Sequence, residues 1–343
     1  MNKVLFIRRD NIGDLICTTP AIKALKLKYP AVKIGVLVNS YNADAIKGNP
    51  DIDQVFVYEK EKHSQKGRIN VLLGNLNVIR RIRKEKFEVA IGCSYTYSRR
   101  VARLTYLSGA ALKIGYVSKD RPASKFYNKP LAEPGESMHE VEAMMGLVKP
   151  LAVAGPPPLM TIKADPGELE KALQYLKRLG LKEKGKAVVF HISSRKPQNR
   201  WPGERFKALG ELIQDKLGLD IILLWSPGNS SNPFHPGDDE TAEWIISKMK
   251  RKPLAYRTLA VSELIAAMSA GSLVVCSDGG AMHIAAGLGK PIVTIWGSTD
   301  KKRWAPWGVP YRLLQKEQGL ATEISSEEAF KAFIDLYSRG KAE

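Results

Sequence analysis

The sequence contains little cysteine and no long apolar run. Its three cysteines, Cys17, Cys93 and Cys276, are far apart and match no CxxC spacing, which argues against a disulfide framework or a zinc module. No stretch approaches the roughly 18 uninterrupted apolar residues of a membrane span. The first 14 residues contain one short apolar run, Val4–Ile7, and lack the features of a signal peptide, so we expect a cytoplasmic protein.

Several signatures of enzyme classes are also missing. The sequence has no Walker A loop and no GxSxG elbow, and its N-terminal segment lacks the glycines of a GxGxxG fingerprint, which disfavours a Rossmann dehydrogenase. The five histidines are scattered and no HExxH motif occurs, so we predict no metal site. The basic stretches lack interleaved aromatic residues for base stacking, so we predict no nucleic-acid partner.

Positive charge, by contrast, is abundant. The chain has 343 residues, of which 53 are Lys or Arg and 35 are Asp or Glu, for a formal net charge of +18. Such a surface attracts polyanions, whether nucleic acid, anionic lipid headgroups or phosphorylated substrates, and charge alone does not choose among them. The length exceeds the size at which single cores usually stop growing, so we expect two domains.

Short β-branched runs alternate with amphipathic stretches in both halves of the chain, a rhythm that predicts βαβ units and parallel sheets. The stretch PLAVAGPPP interrupts the rhythm and indicates a linker. We therefore predict an α/β protein with two doubly wound, Rossmann-like domains, residues 1–155 and 156–343. We expect the carboxyl ends of both sheets, where such folds bind ligands, to face a common cleft. Ser325 and Glu328 form a capping box that predicts a last helix, which we expect to pack back on the N-terminal domain.

The segment IRRDNIGDLICTTP follows the first predicted strand. Gly13 permits a tight turn at the end of this strand, and Asp14 then lies at or beside the start of a helix. A carboxylate at this position can cap the helix, which is its commoner use, or act as a base directed into the cleft. Both interpretations remain open.

A second segment, VVCSDGGAMHIAAGLGKPIVTIWGST, joins a strand to a helix. Gly279 and Gly280 remove side chains where the helix presents free N–H groups, an arrangement that binds phosphate. Asp278 and His283 lie close by in sequence. From spacing alone, His283 is equally a ligand of an anion and a core residue hydrogen-bonded to a carbonyl.

A third segment, FHISSRKPQNRWP, places two hydroxyls and several cations after a buried strand. Ser193, Ser194, Arg195 and Arg200 are side-chain types suited to binding a diphosphate. The alternative is a solvated basic loop, and only the position at the end of a strand favours the binding site.

The motifs IGDLICTTPAIKALK, RWPGERFKAL and DGGAMHIAAGLGKPIVTIWGSTD together resemble those of glycosyltransferase family 9, the lipopolysaccharide heptosyltransferases. The resemblance covers nearly the whole chain. It implies GT-B architecture and transfer of heptose from ADP-heptose to the lipopolysaccharide inner core, with inversion and without a metal or other cofactor.

The resemblance also implies roles for individual residues. Asp14 would deprotonate the acceptor hydroxyl in an acceptor-binding N-terminal domain. The C-terminal domain would bind the diphosphate of the nucleotide-sugar donor through Ser193, Ser194, Asp278, Gly279, Gly280 and His283. The family commonly has a lysine at the position of Asn199, so we assign its phosphate contact to Arg200 or Arg195. The family often has Thr or Ser where this chain has Gly279, so a hydroxyl contact to phosphate is missing.

We therefore expect an inverting glycosyltransferase at the cytoplasmic face of the inner membrane. Its partners would be a nucleotide-sugar donor, a lipid-linked anionic glycan acceptor and the anionic membrane surface, and we predict that Arg8 and Arg99 contact the acceptor. One alternative is a transferase that uses another nucleotide sugar on a different glycan. Another is a noncatalytic protein that binds polyanions through its basic loops.

Overall fold

The computed structural model describes residues 1–59, 68–118, 125–232 and 236–339. The chain divides into two compact units. The first consists of Met1–Ile162 with Lys302–Trp304, and the second of Lys163–Lys301 with the C-terminal residues from Ala305 onward. None of the helices in the described ranges combines the length and the apolar content that a membrane crossing requires.

Six parallel strands form the sheet of the first unit within its described residues, in the order β3-β2-β1-β4-β5-β6. The strands are β1 (Lys3–Ile7), β2 (Lys33–Asn39), β3 (Gln54–Tyr58), β4 (Val89–Gly92), β5 (Leu112–Val117) and β6 (Lys129–Ala132). The helices are α1 (Ile12–Ile16), α2 (Thr19–Lys28), α3 (Arg68–Lys84), α4 (Arg99–Leu107) and α5 (Glu140–Val148). The central strand β1 is completely buried from Val4 to Ile7, as expected for a parallel strand that is covered on both faces.

The described residues of the second unit form a sheet of the same design, in the order β12-β11-β10-β7-β8-β9. Its strands are β7 (Ala187–His191), β8 (Asp220–Trp225), β9 (Leu254–Arg257), β10 (Leu273–Ser277), β11 (Ile292–Trp296) and β12 (Tyr311–Gln315). The remaining helices are α6 (Pro166–Arg178), α7 (Gly203–Leu217), α8 (Asp239–Lys248), α9 (Val261–Ser269), α10 (Gly280–Gly287), α11 (Lys301–Trp304) and α12 (Ser326–Arg339). A large core cluster lies between this sheet and α7, α8 and α12.

In each sheet the direction of winding reverses between two adjacent strands. In the first unit the chain starts at β1, winds outward to β3 and returns to β4 on the other side of β1. The second unit repeats this course with β7 and β10. Loops leaving two such strands diverge and open a crevice at the carboxyl edge of the sheet, which is where open α/β folds bind ligands. The prediction of two doubly wound, Rossmann-like sheets is confirmed.

The last helix begins at the predicted capping box. The Ser325 N–H donates to Glu328 at 2.9 Å, and the Glu328 N–H donates to the Ser325 hydroxyl at 3.1 Å. Helix α12 packs against α7, β11 and β12 of the second unit, where Phe333 and Leu336 are buried. These contacts make α12 part of the second unit.

Candidate active site

Asp14 lies in the crevice of the first unit, on the short helix that follows β1. It is the third residue of α1, and its Oδ2 accepts a hydrogen bond of 3.0 Å from the N–H of Asn11, the N-cap residue. The structure therefore realises the capping alternative, which occupies only one carboxylate oxygen. Gly13 lies inside α1 and has no positive φ, so its backbone conformation does not require glycine.

The second oxygen of Asp14 pairs with a buried arginine. Arg8 Nη2 lies 2.7 Å from Asp14 Oδ1, and only 1% of the Arg8 side chain is exposed. Burial raises the pKa of Asp14, but the charge of Arg8 and the hydrogen bonds from Arg8 and Asn11 outweigh this effect and leave the pKa below its ordinary value. Asp14 is therefore ionised at neutral pH, and 14% of its side chain remains accessible to accept a proton.

Two residues that sequence reasoning missed, Glu140 and Arg303, extend this pair into a chain of alternating charges. Arg8 Nη2 also lies 2.7 Å from Oε1 of Glu140, whose side chain is fully buried. The other oxygen of Glu140 accepts hydrogen bonds from Arg303, at 3.0 Å from Nε and 2.9 Å from Nη2. The Arg303 guanidinium lies over the Tyr95 ring, 3.8 Å from its centroid. Glu140 and Arg303 are 163 residues apart in sequence, and no local pattern signals their pairing.

The two predicted acceptor contacts occupy different environments. Arg8 is buried, and its guanidinium is bonded to the carboxylates of Asp14 and Glu140. These contacts suit Arg8 to hold Asp14 in position. Arg99 is exposed at the first position of α4, just after the carboxyl end of the central strand β4. Of the two, Arg99 is the one that a bound anion can reach, and its acceptor contact stays a prediction.

The second unit gathers the residues of two predicted segments at its own crevice. Ser193 and Ser194 follow β7, and Asp278 follows the neighbouring strand β10. The Ser194 hydroxyl donates to the carbonyl of Asp278 at 3.3 Å, and the Ser193 hydroxyl accepts from the Ser226 N–H at 2.9 Å. The loops after three adjacent strands are thus bonded to one another where the sheet reverses its winding.

Helix α10 begins in this crevice with an uncapped N-terminus. Its N-cap residue, Gly279, has φ +150° and ψ −170°, a conformation that favours glycine, and glycine has no side chain with which to cap the first turn. The N–H groups that follow Gly280 can therefore bind an anion. His283 is buried on the same helix, in line with the core alternative, and its predicted contact to the diphosphate remains untested.

The loop after β7 contains the two arginines that we predicted to contact phosphate, Arg195 and Arg200. Their environments differ. Arg200 forms an ion pair with Asp238, and its Nη1 donates to the Ser194 carbonyl at 2.8 Å. Arg195 is exposed. Of the two residues to which we assigned the phosphate contact, Arg195 is the one whose position suits a ligand.

Asn199, which replaces the expected lysine, is a buried structural residue. Its amide nitrogen donates to Asp278 Oδ2 at 2.8 Å, and its amide oxygen accepts from the Gly297 N–H at 2.9 Å. Thr299 also donates to Asp278 Oδ2, at 2.7 Å. Asp278 is therefore fixed by two neighbouring loops. A Cβ at Gly297 would lie 2.4 Å from the Gln198 carbonyl oxygen, so the close approach of these loops requires glycine there.

The described ranges contain no set of side chains that could bind a metal ion. Within them, no three or more His, Cys, Asp or Glu side chains are grouped so that they could hold an ion. The site elements that the structure does show are a carboxylate held ionised in one unit and, in the other, a helix start whose N-cap residue is glycine.

Comparison with known proteins places this architecture in a family. The sequence matches the family described as glycosyltransferase family 9 (heptosyltransferase) over residues 75–333. It is 24% identical over 299 residues to lipopolysaccharide heptosyltransferase 3 of Escherichia coli, a match that covers 86% of this chain and 83% of the relative.

Two solved structures show the same fold. A glycosyltransferase of family 9 from Veillonella parvula is similar with a TM-score of 0.85 at 23% identity, covering 98% of this chain and 97% of that one. An E. coli heptosyltransferase solved with ADP-2-deoxy-2-fluoro heptose has a TM-score of 0.73 at 20% identity, covering 97% and 99%. The predicted GT-B fold is thereby confirmed, and the chain belongs to glycosyltransferase family 9, the heptosyltransferase family.

Proposed function

We propose that this glycosyltransferase transfers heptose from ADP-heptose to the inner core of lipopolysaccharide, with inversion and without a metal. The observation that carries the proposal is the carboxylate of Asp14, held ionised by Arg8 at 2.7 Å on the short helix that follows β1. Support for the substrates comes from the relatives, one named for lipopolysaccharide heptosyl transfer and one solved with an analogue of ADP-heptose.

The proposed reaction is one direct displacement. The acceptor hydroxyl oxygen attacks the anomeric carbon of heptose, and Asp14 takes the hydroxyl proton as the new bond forms. The bond between the anomeric carbon and the diphosphate breaks, and its electron pair leaves with ADP. Negative charge then grows on the terminal phosphate. We assign its stabilisation to backbone N–H groups at the start of α10, together with Arg195.

The acceptor is proposed to be a lipid-linked anionic glycan bound at the crevice of the first unit. Arg99 supplies positive charge at that edge of the sheet. Because the acceptor is anchored in a membrane, we propose that the enzyme works at the cytoplasmic face of the inner membrane. A net charge of +18 favours its association with an anionic surface there.

Asp14→Asn tests the assigned chemistry. Asparagine keeps the size of the side chain and removes the base, so we expect transfer to fall by at least about 100-fold. The dissociation constant for ADP, measured by calorimetry, should not change. Asp10→Asn is the matched control, because Asp10 also faces Arg8, at 3.6 Å, and has no assigned catalytic role. Loss of ADP affinity in Asp14→Asn, or full transfer activity, would contradict the proposal.

Donor identity and stereochemistry need a separate measurement. Titration with ADP, UDP and GDP should give the lowest dissociation constant for ADP. Proton NMR of the product formed from ADP-heptose should show the anomeric configuration opposite to that of the donor. Preference for UDP or GDP would favour the alternative of another nucleotide sugar.

A further inference from the structure

Helix α3 carries apolar residues on two faces, and only one face is needed for the core. Its inner face packs against the sheet of the first unit through Ile82, which is fully buried, and through Val78 and Ile79. Val71 is also buried. This face accounts for the helix being part of the fold.

The outer face of α3 is apolar over its first half and points away from the core. Ile69, Leu72, Leu73 and Leu76 have 74%, 60%, 52% and 44% of their surface exposed. Their spacing of three, four and seven residues places them on a single stripe of the helix. Single exposed leucines are ordinary on protein surfaces, whereas a contiguous patch marks an interaction site.

The same stripe continues into positive charge. Arg80, Arg83 and Lys84 follow Leu76 at helical spacing and are all exposed. The sequence of α3 contains no acidic residue. A partner for this face must therefore accept apolar side chains and also present negative charge.

An anionic phospholipid bilayer has both properties. Leucine and isoleucine side chains enter the boundary between headgroups and acyl chains, and arginine and lysine pair with lipid phosphates. A second copy of the chain is a poorer partner, because the stripe offers no acid to neutralise the three cations of its mate.

The position of the stripe also suits an enzyme with a membrane-anchored acceptor. Helix α3 follows the carboxyl end of β3 and leads back to the amino end of β4. Its first half, which contains the four apolar residues, therefore begins at the carboxyl edge of the sheet, where Asp14 lies. We propose that Ile69, Leu72, Leu73 and Leu76, with Arg80, Arg83 and Lys84, form a docking surface for an anionic phospholipid bilayer. This inference deepens the proposed function, on which it rests for the identity of the membrane.

Vesicle flotation tests the surface directly. The probes are vesicles of phosphatidylcholine alone and of phosphatidylcholine mixed with phosphatidylglycerol, and we expect the full chain to bind the mixed vesicles at least about tenfold more tightly. The triple variant Leu72→Gln, Leu73→Gln, Leu76→Gln should weaken this binding by at least about tenfold. The variant Arg80→Gln, Arg83→Gln, Lys84→Gln should weaken it by about 100-fold at low salt and by much less at high salt.

Matched controls remove the same groups elsewhere. Three exposed leucines outside α3 are replaced in Leu159→Gln, Leu259→Gln, Leu320→Gln, and three exposed cations in Lys177→Gln, Arg178→Gln, Lys182→Gln. We expect the leucine control to bind as the wild type does and the charge control to lose less than the α3 charge variant.

The outcomes separate this inference from the proposed function. Equal vesicle binding by the wild type and the α3 leucine variant would overturn the docking surface. So would a wild-type dimer, seen by sedimentation, that the leucine variant dissociates without any vesicle binding. Heptosyl transfer to a lipid-free acceptor should be equally fast in the wild type and the α3 leucine variant, because it needs no membrane. If the wild type binds vesicles but does not catalyse this transfer, the result counts against the proposed function and not against the docking surface.

Discussion

Arg8 and Glu140 form a buried ion pair, with 2.7 Å between Nη2 and Oε1. The same arginine nitrogen bonds Asp14, so Glu140 and Asp14 compete for one positive charge. Arg303 bonds the far oxygen of Glu140 and offsets part of this competition. The formal charges of these four residues alternate in sign along the chain of contacts and sum to zero. Burial makes Arg8 and Glu140 sensitive to loss of a neighbour, because an uncompensated buried charge is costly.

The other ionisable groups around Asp14 contribute little charge at neutral pH, apart from one exposed acid. Burial raises the pKa of the Cys17 thiol well above its usual value and that of the Cys93 thiol to about 12, so both thiols are neutral. The remaining acid, Asp10, is 40% exposed and is screened by water. Glu140 and Arg303 are therefore the two residues that should tune Asp14 through Arg8.

We predict that Glu140→Gln and Arg303→Gln move the pKa of Asp14 in opposite directions. Without the negative charge of Glu140, the charge of Arg8 acts on Asp14 alone, so the pKa of Asp14 falls further. Without Arg303, Glu140 interacts more strongly with Arg8, so the pKa of Asp14 rises. Carbon-13 NMR of labelled aspartate, assigned by difference from Asp14→Asn, measures both shifts. A merely structural role would shift the pKa of Asp14 in the same direction in both variants, and that result would refute the role of Glu140 and Arg303 in tuning Asp14 through Arg8.

The backbone at Gly279 gives a second prediction. Its φ of +150° with ψ of −170° lies in a region that residues with a Cβ rarely adopt, although no atom within 4 Å would clash with an added Cβ. Gly279→Ala should therefore cost about 1–3 kcal/mol of unfolding free energy and weaken ADP binding, because the start of α10 must shift.

Gly280→Ala is the control for this change. Gly280 is the first residue of α10 and has no positive φ, so alanine fits its backbone. Urea unfolding should show the control within about 0.5 kcal/mol of the wild type. If Gly279→Ala proves equally mild in unfolding and in calorimetry with ADP, the conformation of Gly279 has no part in forming the anion site.

The parts of this fold that the sequence predicts are those with a local signal. Central strands such as β1 and β7 are buried on both faces and appear as uninterrupted β-branched runs, and Ser325 with Glu328 predicts a helix start by spacing alone. The edge strands β6, β9 and β12 give no comparable signal, because they are partly exposed and lack such runs. In β6, Pro130 further hides the pattern, since proline is tolerated only at a sheet edge.

The same distinction applies to the candidate site, where only the residues with a local sequence signal could be predicted. Asp14, Ser194 and Asp278 could be identified because each follows a central strand, so topology alone carries them to the carboxyl edge of a sheet. Glu140 and Arg303 could not, because their pairing depends on tertiary packing between distant segments. Asn199 could be identified only as the absence of a lysine. Its bonds to Asp278 and Gly297 depend on how two loops pack, which no spacing encodes.

Asn199 gives a third prediction, in which two substitutions are ranked. Asn199→Ala leaves the Gly297 N–H and one bond of Asp278 unpaired, at a cost of about 1–3 kcal/mol. Asn199→Asp keeps the size but places a second carboxylate against Asp278, whose Oδ2 lies 2.8 Å from the present amide nitrogen. It should therefore destabilise more at pH 7 than alanine does. Urea unfolding at neutral pH ranks the two variants, and the reverse order would show that Asp278 is not held by this amide.

His191 gives the last prediction, which concerns stability and pH. It ends β7, is buried, and its ring nitrogens have no hydrogen-bond partner among the described residues. Burial lowers the pKa of His191 from 6.5 to about 4, so the folded protein keeps it neutral. The unfolded chain binds a proton near pH 6.5, so this contribution to stability is complete above that pH and is lost as pH falls toward 4.

The size of the effect follows from the shift. Each pH unit between 6.5 and 4 removes up to about 1.4 kcal/mol, for a total of about 3 kcal/mol from this residue. His191→Leu fills a similar volume without a titrating group, so urea unfolding of the variant should lose less stability between pH 7 and pH 4.5 than the wild type does. At pH 7 the variant should be as stable as the wild type or more so, because no buried hydrogen bond is broken. Parallel pH profiles for the two proteins would mean that His191 is hydrated or partnered in the folded state, since only then would its protonation cost nothing.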